Sequence, residues 1–341
     1  MTFSSLQALR EAITSLPLPL SDADAEKAVW ARQDSLTKPP RSLGMLEDSV
    51  AFLGRWQRKA KPTLERIDIL LFAGSHGVTA RGVSAFPSSV TGQMVANFEH
   101  GGAAINQLAA LAGASLSIHS LDIDKPTGDF TEHAALDDDE FLDAVNAGYT
   151  AVKDDCDLLV LGEMGIGNTT PAAAICSALF GGAVEDWTGR GTGIDDQGLR
   201  RKIETVRAGL TRHLDKISDP LAIAAALGGR ELAAILGAAL AARHRRVPLL
   251  LDGFVVSAAI APLHVLNPPI LDHVLAGHVS AEAGHGRLLE KLNKSPLLSL
   301  GMRLGEGSGA ATAIMILKAA LACFHGMASF AEAGIQDKHD T

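Results

Sequence analysis

The sequence predicts an α/β protein, built on a mostly parallel Rossmann-like sheet flanked by helices, with a small helical subdomain. Three observations carry this expectation. From Arg66 onward short apolar runs alternate with helix-length segments, a spacing that calls for right-handed βαβ crossovers. Hydrophobic residues make up 47% of the chain and aromatics only 4%, so the core is Ala, Leu, Ile and Val, which suits helices laid on a parallel sheet. Two of the apolar runs lead into glycine turns that carry a glutamate and open apolar helices, and ligands of doubly wound sheets gather at such turns.

Residues 1–60 read as helices: Ser4–Ser15, Ser21–Gln33 after the Leu-Pro-Leu-Pro-Leu break, and Leu43–Arg58 beyond Pro39-Pro40, since proline pairs end one helix before the next begins. They are expected to form a helical subdomain completed by residues 325–341, with 61–324 as the α/β catalytic domain. Candidate strands are Ile67–Ala73, Ser115–Leu121, Asp157–Leu161, Val247–Leu251, His273–Gly277 and Leu297–Leu304, the last within a strand-like run from Pro296. The acidic run Asp137–Glu140 fits the first turn of a helix better than a metal site, and Arg243-His244-Arg245-Arg246 fits a last turn, each sign complementing the helix dipole. Leu221–Ala242 and Ala310–Phe330 are the most apolar stretches, but interruptions by Gly, Arg, Glu, Lys or His favour buried or subunit-facing helices over membrane spans. The tail after about Gly334 is polar and expected to fray.

With 341 residues the chain can bury a substantial core. Its formal net charge of -9 argues against a nucleic-acid or membrane-surface partner, because phosphate-backbone binding is driven by clustered Lys and Arg. Cys156, Cys176 and Cys323 are scattered in apolar settings with no metal-ligand spacing, as expected of reduced packing residues in a cytoplasmic protein. The first ten residues read as an amphipathic helix rather than a secretion signal.

The richest segment is Leu161–Ala174, LGEMGIGNTTPAAA, which combines a strand end, a carboxylate, a glycine turn and a helix start. Gly165 and Gly167 let the backbone approach a ligand, and Thr170 can cap a helix opening at Pro171, whose dipole and amides favour an anion such as phosphate. A plain βα turn with a well-capped helix is the competing reading. The same logic recurs at Gly305-Glu306-Gly307, where Ser308 can cap the helix that follows. Glu163 and Glu306 can therefore face one cleft at the carboxyl ends of the strands. Gly189-Arg-Gly-Thr-Gly193 is a flexible turn rich in backbone donors, in which Arg190 can grip a phosphate or carboxylate. Asp252 follows an apolar strand and reads equally as a functional-rim carboxylate or a helix cap.

The segments GEMGIGNTTPAAA (162–174), GRGTGIDD (189–196), LLLDGFVVSAA (249–259) and RLGEGSGAA (303–311) occur in the order found in the nicotinate-nucleotide–dimethylbenzimidazole phosphoribosyltransferase family, which the chain resembles. KPPRSLGMLE (38–47) and HGVTARGVSAFPSSVTGQMVANFEHGGAAIN (76–106) extend the resemblance from about Leu36 to Ile335. It implies transfer of the phosphoribosyl group of nicotinate mononucleotide to 5,6-dimethylbenzimidazole, in the branch that builds the lower ligand of cobalamin. It further implies a homodimer, with neither cofactor nor metal.

By that resemblance Gly165, Ile166, Gly167, Asn168 and Thr169, with Arg190, Gly191, Thr192, Gly193 and Lys202, hold the nucleotide. Taken alone, Lys202 would be a solvated helix lysine. Ser84, Phe86, Gln93 and Leu304 would line the base pocket, although Ala85-Phe86 and Ser75-His76 stand where the family often has Pro-Tyr and Asp-His. His76 and His285 read as structural histidines. The pyridinium of the nucleotide is already an adequate leaving group, so what the reaction lacks is a base for the benzimidazole proton; Glu306 is the choice, with Glu163 stabilising cationic ribose character or orienting it. Two other function classes fit less well. A dinucleotide oxidoreductase would need a GxGxxG after the first strand and an acid about 20 residues on, which is absent. A catalytically silent nicotinate-nucleotide or benzimidazole sensor would not need both glutamates.

Overall fold

The computed structural model describes residues 1–336. Six strands form one sheet: β1 (Ile67–Ala73), β2 (Ser115–Ser120), β3 (Leu158–Met164), β4 (Leu249–Leu251), β5 (Val274–His278) and β6 (Pro296–Leu298). Their order is β2-β1-β3-β4-β5-β6 and each neighbouring pair is parallel. The chain goes from β1 to β2 on one side, then returns to place β3 on the other, so the order switches between β1 and β3. Beyond the carboxyl ends at such a switch, connections leave in opposite directions and a crevice opens.

Every residue of β1 is buried, as are Leu158–Glu163 of β3, which fits the unbroken apolar runs 69–73 and 158–161 within them. One face is covered by helices Asp138–Ala151, Thr169–Phe180, Pro220–Leu227, Arg230–Arg245 and Phe254–Leu266. The other is covered by Met45–Gln57, Ala104–Ala112 and Ser308–Gly326. The N-terminal helices divide between the faces. Leu6–Thr14 sends Leu9 and Ile13 into the first cluster, whereas Ala23–Ser35 packs on Met45–Gln57, which packs in turn on Ser308–Gly326. An antiparallel bridge from Leu36 to Ser329 ties that second group to the end of the chain.

The acidic run starts a helix as expected: the Glu140 amide donates to Asp137 Oδ1 at 2.8 Å, and the Asp137 amide donates back to the Glu140 carboxylate. Arg243 ends a helix, but it is buried over the Trp56 ring and donates to the Pro19 carbonyl, so packing outweighs the dipole there. Ser308–Gly326 is long and apolar enough to cross a membrane, yet Ala310, Ile314 and Leu317 are fully buried in the core.

Four expectations are corrected. The last strand stops at Leu298, because Gly301, Gly305, Glu306 and Gly307 all have positive φ (68, 85, 65 and 84°), which no strand accommodates. The apolar stretch Leu221–Ala242 is two helices, broken at Gly228-Gly229. The helix expected from Pro171 begins at Thr169, and Thr170 is interior to it with its hydroxyl unpartnered. Ser308 is likewise the first residue of its helix rather than its cap, and the capping position belongs to Gly307. The frayed tail expected after Gly334 falls mostly on residues 337–341, outside the described residues.

Candidate active site

The site begins inside β3 rather than after it. Gly162, Glu163 and Met164 continue the ladder, opposite Leu71, Phe72 and Ala73, so the sheet itself orients Glu163. Its carboxylate is buried and accepts a bond from Asn168 Nδ2. Burial pushes the Glu163 carboxyl up to about 8; the Asn168 bond opposes this, while the charges of Asp252, Glu231 and Glu306 add to it. Next, the turn at Gly165-Ile166-Gly167 enters helix Thr169–Phe180, which carries no side-chain cap at its start. An open helix start leaves amides and a positive dipole end for an anion. Below the turn lies a buried pair, His76 Nε2 to Glu231 Oε1 at 2.6 Å.

Glu306 reaches this place from a distant part of the chain. An ideal Cβ on Gly162 would lie 2.6 Å from the Glu306 carbonyl oxygen, so the 305–307 turn rests directly on β3 because residue 162 has no side chain. A Cβ on Gly305 would in turn strike the Glu163 carboxylate. The two glutamates are therefore adjacent although 143 positions separate them. Glu306 is only 5% exposed, and its Oε2 is buried without a hydrogen-bond partner. Burial raises its carboxyl above the ordinary glutamate range; the Ile105 amide works against that rise and the Asp252 charge reinforces it. Asp252 caps helix Ser308–Gly326 from the end of β4, accepting from the Gly307 and Ala310 amides at 3.1 and 3.0 Å.

A third wall comes from the 189–193 turn. Lys202 lies on helix Asp196–His213 and is 1% exposed, in contrast to the solvated lysine that its helical setting alone suggests. Its ammonium donates to Thr169 Oγ1 at 2.7 Å and to the Gly189 carbonyl at 3.1 Å. Burial lowers it to about 8, and the Glu282 charge counters that. Glu282 also accepts from the Gly191 amide, while Arg303 donates to the Gly191 carbonyl at 3.0 Å. These bonds fix the turn against Thr169.

One cleft collects Glu163, Gly165, Ile166, Asn168, Thr169, Gly191, Thr192 and Leu304. Gly167, Gly193 and Lys202 stand just behind or beside it; Glu306 faces helix Ala104–Ala112 across the turn. Arg190 does not point in, since its guanidinium is engaged with the Ile194 carbonyl and Asp196. The residues expected at a base pocket are not gathered: Ser84 Oγ accepts from the Phe86 amide, Phe86 is 49% exposed, and Gln93 lies exposed on helix Val90–Glu99. Sequence reading missed Arg303, His278, Ser280 and Glu282, all on the cleft. The signal was available, since Arg303 adjoins the Gly-Glu-Gly turn and the others share His278–His285, from which only His285 was singled out. That histidine is satisfied, bonded to Ser257 and Ser280, and burial drops it to about 4.

The family model for phosphoribosyltransferases named DBI_PRT matches residues 18–335. A nicotinate-nucleotide–dimethylbenzimidazole phosphoribosyltransferase of Mesorhizobium japonicum is 62% identical over 338 residues, covering 99% of this chain and all of the relative. One of Ruegeria pomeroyi is 55% identical, with 98% of each chain covered. Among solved structures, CobT from Thermus thermophilus superposes with a TM-score of 0.86 at 41% identity, covering 92% of this chain and 99% of its own. By these matches, with its parallel sheet, this chain belongs to the nicotinate-nucleotide–dimethylbenzimidazole phosphoribosyltransferase family.

Proposed function

We propose that the protein transfers the phosphoribosyl group of nicotinate mononucleotide to 5,6-dimethylbenzimidazole, giving α-ribazole 5′-phosphate and nicotinate for cobalamin synthesis. The observation that carries this reading is the pair of buried carboxylates on contacting segments, Glu163 touched by Gly305 of the turn that carries Glu306, beside an uncapped helix start. In the proposed complex the phosphate sits at the Gly165–Thr169 turn, with Lys202 and Arg303 supplying positive charge. This anchors C1′ next to Glu163. The benzimidazole nitrogen attacks C1′ from the face opposite nicotinate, the bond from C1′ to the pyridinium nitrogen breaks, and nicotinate leaves with the electron pair. Glu306 takes the proton from the other ring nitrogen. Its raised proton affinity suits a base, because a carboxylate that holds a proton more tightly removes one more readily. Glu163, once ionised, faces the cationic ribose. The two organic substrates account for every atom, so the reaction calls for no cofactor.

The base pocket is proposed to close around Ser84, Phe86, Gln93 and Leu304 when the base binds. Exposed apolar side chains at Phe86, Leu300 and Leu304 support a homodimer that covers this rim. Its three unpaired cysteines agree with a cytoplasmic location. Mixing purified protein with nicotinate mononucleotide and dimethylbenzimidazole tests the reading: nicotinate and α-ribazole phosphate should form in equal amounts. Tight binding of both without product would instead favour a sensor, and light scattering that gives a monomer at micromolar concentration would remove the dimer.

A further inference from the structure

Asp252 takes no part in the proposed chemistry, yet it is 1% exposed at the centre of the sheet's functional end. An aspartate after a strand ordinarily caps the helix that follows. Here that helix, Phe254–Leu266, is entered through Gly253 with no side-chain cap. Both oxygens of Asp252 are spent elsewhere, Oδ2 on the Gly307 amide and Oδ1 on the Ala310 amide. Gly307 directly follows Glu306, which is held at φ 65° between two left-handed glycines. A side chain disfavours that conformation, so something must impose it. The Glu306 carboxylate meets only the Ile105 amide, its Oε2 having no hydrogen-bond partner, and that contact does not hold the backbone of the turn. The clamp on the backbone comes from Asp252.

We propose that Asp252 is a positioning residue for Glu306: by gripping the Gly307 and Ala310 amides it locks the left-handed turn and aims the base. This rests on reading Glu306 as the general base. The Asp252 charge also acts directly on Glu306, raising its proton affinity beyond what burial does. The other groups around this pair are Glu163 on β3, which Gly305 touches, the Ile105 amide, and His278 on β5, whose Nε2 is 3.4 Å from Asp252 Oδ1. The His76–Glu231 pair lies beyond Glu163, on which Glu231 acts.

The test measures nicotinate release across a pH series, direct binding of nicotinate mononucleotide, and Tm for four variants. Asp252→Asn keeps the shape and loses the charge; Asp252→Thr keeps one oxygen acceptor, so it serves if the first variant fails to fold. Ile314→Val, at a fully buried position on the capped helix, lowers stability without touching the turn. Glu306→Gln reports on the base itself. The expected result is a kcat lowered about 10–100-fold in either Asp252 variant, the scale of a base displaced by a fraction of an ångström to an ångström. Nucleotide binding should stay within a few-fold, and the acid limb of kcat should move to lower pH because Glu306 loses a negative neighbour. A merely structural Asp252 would lower Tm and leave the limb in place. If Glu306→Gln is impaired while the Asp252 variants behave like Ile314→Val, this proposal alone is overturned; near-normal turnover in Glu306→Gln overturns the base assignment and the proposal with it.

Discussion

The contact between Gly162 and the Glu306 turn can be probed with a single methyl group. In Gly162→Ala the new Cβ would start 2.6 Å from the Glu306 carbonyl oxygen and 2.8 Å from its carbon, whereas ordinary contact begins at 3.4 Å. Residue 162 lies in a strand with no positive φ, so alanine meets no backbone strain of its own. Relief must come from the turn moving by roughly 0.8 Å, a distance set by that shortfall. Misplacing a catalytic group by about 1 Å costs on the order of 100-fold in rate, so kcat should fall about 30–100-fold. Stability is pulled two ways. Overpacking costs about 1–3 kcal/mol, while alanine stiffens the unfolded chain and returns about 0.4–1 kcal/mol, leaving a net loss of about 0–2.6 kcal/mol. The KM for nicotinate mononucleotide should change little, because the phosphate loop lies on the far side of Glu163. Nicotinate release measured at saturating base, with Tm on the same preparation, decides the matter. Unimpaired turnover in a folded Gly162→Ala protein would show that the turn does not depend on this contact and that the adjacency of the glutamates is not needed for catalysis.

Further outcomes follow from the same site. Glu306→Gln keeps the size but lacks the basic oxygen, so turnover should drop about 10²–10⁴-fold with binding retained; a loss explained by unfolding alone would remove Glu306 from the chemistry. Lys202→Met removes a buried charged donor worth about 1.5–3 kcal/mol, so the KM for the nucleotide should rise about 10–150-fold, and an unchanged KM would move the phosphate away from Thr169. Glu163 is raised in the folded protein from 4.5 to about 8, so its contribution to stability is full below the ordinary carboxylate range and is lost as pH rises through that window. Glu163→Gln should accordingly gain on the natural protein, by an amount on the order of a few kcal/mol, as pH climbs from about 5 to 9. Tm curves that stay parallel across that range would contradict it. Calorimetry at pH 7 adds a second readout: binding of the nucleotide, whose pyridinium brings positive charge to C1′ beside Glu163, should expel a proton from Glu163, and the variant should release none.

The parts of the fold visible in the sequence are those governed by local pattern. The strand expected over Asp157–Leu161 was legible because residues 158–161 form an uninterrupted buried apolar run, which the ladder extends to Met164. Asp137 and Glu140 satisfy each other's backbone within four residues, so their helix start was equally plain. Several of the misreadings involve a bond made by a remote residue. Ser308 looks like a cap, but Asp252 supplies the capping acceptors from the end of β4. Lys202 looks like a surface lysine because Arg200, Arg201 and Glu204 beside it are charged; the 189–193 turn that buries it is invisible to helical periodicity. Pro296–Leu304 has strand composition, yet beyond Leu298 it leaves the ladder, and the Ala281 amide donates to the Met302 carbonyl in a loop. The two glutamate motifs were legible through their glycines. Their mutual distance was not, since it depends on Gly162 having no side chain.

The division of the first helices between opposite faces of the sheet bears on how the chain is made. Met45–Gln57 leaves the ribosome about 250 residues before its partner Ser308–Gly326, and Leu36 waits for Ser329. Between the two, translation at about 5–20 residues per second leaves an apolar helix uncovered for tens of seconds. Synthesis of residues 308–329, rather than growth of the N-terminal half, is thus the event that seals the second face. A ribosome stalled before residue 308 would present an unfinished hydrophobic surface to chaperones, with the 305–307 turn not yet formed.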